Sequence, residues 1–169
     1  CSSLTTVSFP LASYIGSYAF AYCPKLATAS FPSVTYIGEY AFYSCTGLTT
    51  VSFPLASYIG GYAFAYDSSL TTVSFPSVQT ISSYAFASCS KLTTVSFPLA
   101  SYIGYNAFAN CSSLATASFP LASYSGGYAF YGCYNLTTLI LEYSLVASLA
   151  TTAFSNTNST FIVYVPDSL

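Results

Sequence analysis

A repeat of 22 residues constrains this chain more than any other feature. The stretch Leu4 to Lys25 reads LTTVSFPLASYIGSYAFAYCPK, and the pattern starts again at Leu26, Leu48, Leu70, Leu92, Leu114 and Leu136. Self-similarity at a fixed period of this length marks a solenoid, in which each unit buries its apolar side only by stacking on its neighbours. One array over residues 1–169 is therefore expected, with six regular repeats over 4–135 and a degenerate repeat and cap over 136–169. Cys1-Ser2-Ser3 reads as the tail of an earlier repeat, so the N-terminus is expected to lie mid-repeat.

Within the unit, Leu4, Val7 and Phe9 set a strand pattern that sends apolar residues to one side, with Thr5, Thr6 and Ser8 facing out. β-Branched and aromatic residues suit the extended state. Pro10 ends the strand because it lacks the donor that would continue a ladder. A second short extended piece is expected at Ser13-Tyr14-Ile15, with Gly16 permitting the turn out of it. Tyr18 to Cys23 is too short for a free-standing helix, so one helical or 3₁₀ turn is expected there. Stacking the units aligns Phe9, Phe31, Phe53, Phe75, Phe97 and Phe119 in one column and Phe20, Phe42, Phe64, Phe86, Phe108 and Phe130 in a second. Both columns read as core. After Leu136 the pattern drifts: the Ala-Phe pair arrives two residues late at Ala153-Phe154, and a last strand is expected from Phe161 to Val165.

Charge narrows the function classes. Charged residues make up 4% of the chain against about 25% in an ordinary domain. With two Lys and no Arg or His, no basic patch can neutralise a run of phosphates, which excludes nucleic acid as a partner. Ser, Thr and Tyr hydroxyls supply the polarity instead, and a net charge of −2 gives little protection against self-association. No apolar run is long enough for a membrane span. No base stands ready to activate a Ser or Cys, and the carboxylates are scattered over different repeats, so no enzyme is expected.

The unit Leu-x-x-Val-x-Phe-Pro followed by Ile-Gly-x-Tyr-Ala-Phe-x-x-Cys-x-x-Leu resembles the BspA-like, or Treponema-type, leucine-rich repeat. Its most specific stretch here is Ile37-Gly38-Glu39-Tyr40-Ala41-Phe42-Tyr43-Ser44-Cys45-Thr46-Gly47-Leu48, and the closing Tyr164 to Leu169 is similar to the way such arrays end. The resemblance implies a leucine-rich-repeat solenoid or horseshoe with a parallel β-sheet on its concave side and short strands and turns on its convex side. It also implies an extracellular or cell-surface protein, often an adhesin that binds host or matrix proteins. The near absence of charge and the tyrosines at Tyr14, Tyr36, Tyr58, Tyr102 and Tyr124 depart from the family's usual pattern.

Six cysteines stand one per repeat at Cys1, Cys23, Cys45, Cys89, Cys111 and Cys133, and Asp67 takes the missing place. An even count on a surface protein invites disulfides. Laddered side chains point in parallel, however, and Asp67 splits the file into two odd groups, which favours buried free thiols. A single file of thiols cannot enclose a tetrahedral ion, so neither metal nor cofactor is expected. Asp67 is expected to accept N–H bonds from the turn at Ser68-Ser69.

Two sets of residues are candidates for binding. Thr6, Thr28, Thr50, Thr72, Thr94 and Thr116 run in file, with Ser8, Ser30, Ser52, Ser74, Ser96 and Ser118 beside them. They are read as plain solvated sheet, as repeated donors and acceptors for a protein or glycan, or as a flat array that orders ice. Tyr14, Tyr36, Tyr58, Tyr102 and Tyr124 are read either as half-buried packing or as a surface for self-association into a filament or coat. Sequons at Asn110, Asn135 and Asn158 would carry sugar only after a eukaryotic secretory route.

Overall fold

The computed structural model describes residues 1–141, 151–157, 160 and 162–165, and these form a stack of parallel rungs. In chain order the strands are β1 (Thr6–Ser8), β2 (Tyr14–Ile15), β3 (Thr28–Ser30), β4 (Tyr36–Ile37), β5 (Thr50–Ser52), β6 (Tyr58–Ile59), β7 (Thr72–Ser74), β8 (Thr80–Ile81), β9 (Thr94–Ser96), β10 (Tyr102–Ile103), β11 (Thr116–Phe119), β12 (Tyr124–Ser125), β13 (Thr138–Leu141) and β14 (Ile162–Tyr164). The rungs pair in parallel and in strict register, Thr6 opposite Thr28 and Tyr14 opposite Tyr36, as the sequence period requires.

The longer strand carries a Thr-Val-Ser or Thr-Ala-Ser core in the regular rungs, with the middle residue turned inward and the flanking hydroxyls outward. The unbroken ladder nevertheless belongs to the two-residue strands: β2, β4, β6, β8, β10 and β12 make one six-stranded sheet, while the longer strands fall into pairs β1–β3 and β5–β7 and a four-stranded sheet β9–β11–β13–β14.

The helical or 3₁₀ turn expected over Tyr18 to Cys23 is not formed. That stretch is a run of tight turns in which alternate N–H groups leave the rung: Tyr18, Phe20 and Tyr22 donate to the carbonyls of Glu39, Ala41 and Tyr43 in the next rung. The alternation is reached by placing Tyr18 and Tyr22, and their counterparts in later rungs, at φ near +60°, between residues of ordinary φ. The run therefore acts as a third ladder, and a helix would have withdrawn those donors into intrahelical bonds. Among the described residues the one 3₁₀ helix is η1, Thr151–Phe154.

Inside, Phe53, Phe75, Phe97 and Phe119 stack at 5.5–5.8 Å between centroids, and Phe42, Phe64, Phe86 and Phe108 stack at 5.2–5.3 Å with planes within 5°. The two columns mesh edge to face, as Phe64 does with Phe75 at 5.7 Å and 63°. Each fully buried ring contributes about 2–3 kcal/mol of transfer free energy. At the first rung the columns are open: Phe9 is 51% exposed and Leu11 91%. At the far end Phe154 lies on Phe130 at 5.5 Å and 2°, and the Phe130 N–H donates to Ala153, so the delayed Ala-Phe pair occupies the place of a regular one. The last strand begins at Ile162 and lies against β13; Phe161 lies outside the described residues.

Gly104 shows how closely the rungs approach at the turn after the short strand. A Cβ there would sit 2.5 Å from backbone atoms of Ser82 and Ser83, closer than real contacts allow.

Candidate functional site

The file of buried cysteines is structural. Cys45, Cys89, Cys111 and Cys133 each donate Sγ–H to the carbonyl of the phenylalanine 25 residues earlier, at 3.1–3.2 Å. All six thiols are free and only Cys1 is exposed. Burial pushes the Cys45 and Cys133 thiols up to about 12 and those of Cys89 and Cys111 well above the ordinary range. These are thiols without nucleophilic character. Among the described residues no cluster of His, Cys, Asp and Glu could hold a metal ion.

Asp67 takes the thiol's place and is fully buried. Its Oδ1 accepts the Cys45 N–H at 2.6 Å, from the preceding rung and not from the Ser68-Ser69 turn that the sequence suggested. The Ser68 N–H goes to the Tyr66 carbonyl instead, because the side chain follows the inward direction of the cysteine file. Oδ2 has no partner. Burial raises the Asp67 pKa well above the carboxylate range, and the single N–H bond opposes this only in part.

The hydroxyl files are laid out as the period demands. Thr6, Thr28, Thr50, Thr72 and Thr94 are exposed, as are Ser8, Ser30, Ser52, Ser74 and Ser96; Thr116 and Ser118 are half-buried. The serine file stops there because Ile140 stands opposite Ser118. Neighbouring hydroxyls are consumed by the array itself: Thr35, Thr71 and Thr137 donate to carbonyls of the rung before at 3.1 Å, and Ser33 and Ser77 to the carbonyls of Pro10 and Pro54. The Thr6 and Ser8 files make no such bond among the described residues, and their hydroxyls remain available to solvent or a partner.

The tyrosines form columns of their own on the other side of the rung. Tyr14, Tyr36 and Tyr58 stack at 5.1 and 4.7 Å, and Tyr102 and Tyr124 at 4.7 Å. Thr80 interrupts this column, opposite Tyr58 on one side and Tyr102 on the other. A second column, Tyr18, Tyr40, Tyr62 and Tyr84, stacks at 4.5–4.8 Å with planes within 4°. Tyr22, Tyr43 and Tyr66 make a third contact line, edge on at 5.3–5.4 Å. Sequence reading missed this last set because Tyr43 stands one place earlier in its rung than Tyr22 and Tyr66, so no fixed spacing marks it. Partial burial raises the phenol pKa of Tyr36, Tyr40, Tyr43 and Tyr62, and neighbouring phenols add to the effect.

Of the sequon asparagines, Asn110 is exposed at φ 60°, next to buried Cys111. Asn135 is exposed and its Nδ2 donates to the Ser112 carbonyl at 2.8 Å. Asn158 lies outside the described residues.

Comparison with known proteins agrees with this geometry. The model of the BspA type leucine rich repeat region matches residues 1–77 and 57–169, in six copies. No curated protein matches the sequence. The crystal structure of a leucine-rich repeat protein from Bacteroides ovatus is similar with a TM-score of 0.83 at 28% identity, over 96% of this chain and 42% of that one. A leucine-rich repeat protein from Eubacterium ventriosum superposes with a TM-score of 0.68 at 21% identity, over 98% and 48% of the two chains. A leucine rich cell surface protein from Faecalibacterium prausnitzii gives 0.50 at 23% identity, over 99% and 61%. The present chain thus spans about half the length of the solved structures it resembles.

Proposed function

The chain belongs to the BspA-type leucine-rich repeat family, and from that premise we propose that it is an extracellular or cell-surface binding module of the adhesin type, which presents its hydroxyl files to a protein or glycan. Repeat arrays of this kind serve in general as extended scaffolds for partners and not as enzymes. The observation that carries the reading is the pair of files Thr6 to Thr116 and Ser8 to Ser118: in register, outward, and without intramolecular hydrogen bonds, while nearby hydroxyls such as those of Thr35 and Thr71 are engaged with the rung before. Parallel rungs repeat every 4.7–4.9 Å or so, and such rows offer an extended partner a regular series of donors and acceptors. The relationship to a leucine rich cell surface protein is consistent with a surface location. The test is binding of the purified chain to immobilised matrix proteins and glycans. Thr50→Lys with Thr72→Lys, both on exposed strand positions, should abolish retention; equal retention by the variant refutes the reading.

Self-assembly is the second reading. It is favoured by the tyrosine columns, in which Tyr14, Tyr102 and Tyr124 remain 57%, 39% and 50% exposed, on a chain with almost no repelling charge. Sedimentation over a range of concentrations decides it: a species that remains monomeric at the highest concentration rules it out.

A further inference from the structure

The turn after each short strand carries Ser17, Glu39, Gly61, Ser83, Tyr105 and Gly127 at one repeating position. The Tyr105 ring reaches over Gly127, 3.3 Å from where its Cβ would stand, whereas Gly61, between Glu39 and Ser83, leaves the position open. A notch of about 260 Å³ results, walled by Tyr58 on one side and by Tyr40 and Tyr62 on the other, with Glu39 below and Ser83 above. This is smaller than the roughly 300–1,000 Å³ of sites for drug-sized ligands, so the occupant must be a small group.

Three observations set the chemistry of that occupant. Glu39 is exposed and makes no ion pair among the described residues, and its charge reaches the wall at Tyr40, where, after burial and the neighbouring Tyr18 phenol, it helps to raise the phenol pKa. Tyr58 is stacked on Tyr36 on one face, but the next rung carries Thr80 where a ring would continue the column, so its other face has no ring partner. Ser82 donates to the Tyr58 hydroxyl at 2.9 Å and fixes that ring at the rim. A carboxylate and a ring with one unstacked face that line the same notch attract a cation, and a cation that sheds water easily gains most from the ring. Metal ions and simple ammonium hold their hydration shells and need several convergent oxygen donors; a methylated ammonium group does not.

We propose that the notch at Gly61 binds a methylated ammonium group of the kind choline carries. The site is independent of the hydroxyl files, which lie on the other ribbon of the rung.

The experiment is a titration of the folded chain with choline and with 3,3-dimethylbutan-1-ol, its uncharged isostere, followed through the ring protons of Tyr58 and Tyr62 by NMR. Choline should produce saturable shifts and the isostere none. Glu39→Gln should weaken choline about two- to fivefold, as expected for an exposed charge pair. Gly61→Tyr should abolish the shifts by filling the notch. A Cβ at Gly61 meets nothing nearer than 3.4 Å and Tyr105 occupies the same place in a later rung, so an unchanged thermal midpoint certifies the fold. Equal response to both ligands, or an undiminished response in Gly61→Tyr, overturns the proposal, as does the absence of saturation. Retention on phosphatidylcholine vesicles that Glu39→Gln relieves would assign the group to a lipid headgroup; choline binding without retention would assign it to a free solute.

Discussion

Replacing Asp67 with cysteine should stabilise the array, and by an amount that grows with pH. In the unfolded chain the carboxyl titrates near 3.9. In the fold, burial raises that pKa well above the ordinary range. Between the two values the native state holds a proton that the unfolded state has released, so stability falls as pH rises, by about 1.4 kcal/mol per pH unit, until the folded pKa is passed. At acid pH both states are neutral and the wild type keeps only the handicap of its unpartnered Oδ2, about 1–3 kcal/mol. A thiol at position 67 removes both penalties. It would point where Cys89 and Cys111 point, toward a phenylalanine carbonyl of the preceding rung. Nor does the change orphan the Cys45 N–H, which already donates to Phe42 as well as to Asp67. The groups nearest the carboxyl are the neutral thiols of Cys45 and Cys89, so no second titration obscures the slope. Urea melts followed by circular dichroism, in reductant and at steps from about pH 4 to 7, should show curves that diverge as pH rises. Parallel curves, or a wild type that gains stability with pH, would refute the reasoning.

Phe64→Ala, which removes a fully buried ring stacked on Phe42 and Phe86, should cost about 3–5 kcal/mol, whereas Phe9→Ala on the open first rung should cost under about 1 kcal/mol; chemical denaturation of the pair checks both. In a thiol titration with an aromatic disulfide, Cys1 should react at once in the native protein, and the remaining five of the six only on unfolding. Gly104→Ala should destabilise by about 1–3 kcal/mol because its Cβ meets backbone, while Gly61→Ala, measured in the same melts, should be nearly neutral. Ser88→Asn should raise stability by up to about 1 kcal/mol, since Ser88 sits at φ 62° and asparagine tolerates the left-handed region better.

The period made the rung, its register and its core legible in advance, because a solenoid must place identical residues one above another. Phe42, Phe64 and Cys45 fell where that rule puts them. Backbone direction was less legible. Tyr18-Ala19-Phe20-Ala21-Tyr22 looks like a helical turn by composition, and what prevents one is the row of carbonyls on the next rung, a tertiary partner that no local propensity reveals. The left-handed tyrosines illustrate the same point. Such a conformation costs a bulky residue roughly 1–2 kcal/mol, and stacking at 4.6 Å between Tyr18 and Tyr40 returns about 0.5–1.5 kcal/mol per pair. The hydroxyl files could be read from sequence as outward, but not as unengaged, since that depended on which carbonyls the flanking Thr35 and Ser33 would reach. The notch at Gly61 was invisible because a missing side chain opens space only where its neighbours leave it open, and at Gly127, the same repeat position, the Tyr105 ring fills it.

The third ladder has an evolutionary corollary. In the regular rungs, donors such as Phe20 and Phe42 find carbonyls 21 residues ahead, at Ala41 and Ala63, while strand partners such as Thr6 and Thr28 stand 22 residues apart. Excising or duplicating one full period in the coding sequence therefore rejoins every ladder with its bonding scheme intact. Any other change of length has to be absorbed between the ladders, as in the last rung, where Phe130 reaches Ala153 and Thr138 pairs with Ile162 two residues later than the period gives. Array length is thus the property most open to change by recombination between repeats, and the surface it governs, the number of hydroxyls and rings a partner can meet, can be tuned in whole-rung steps with no redesign of the interior.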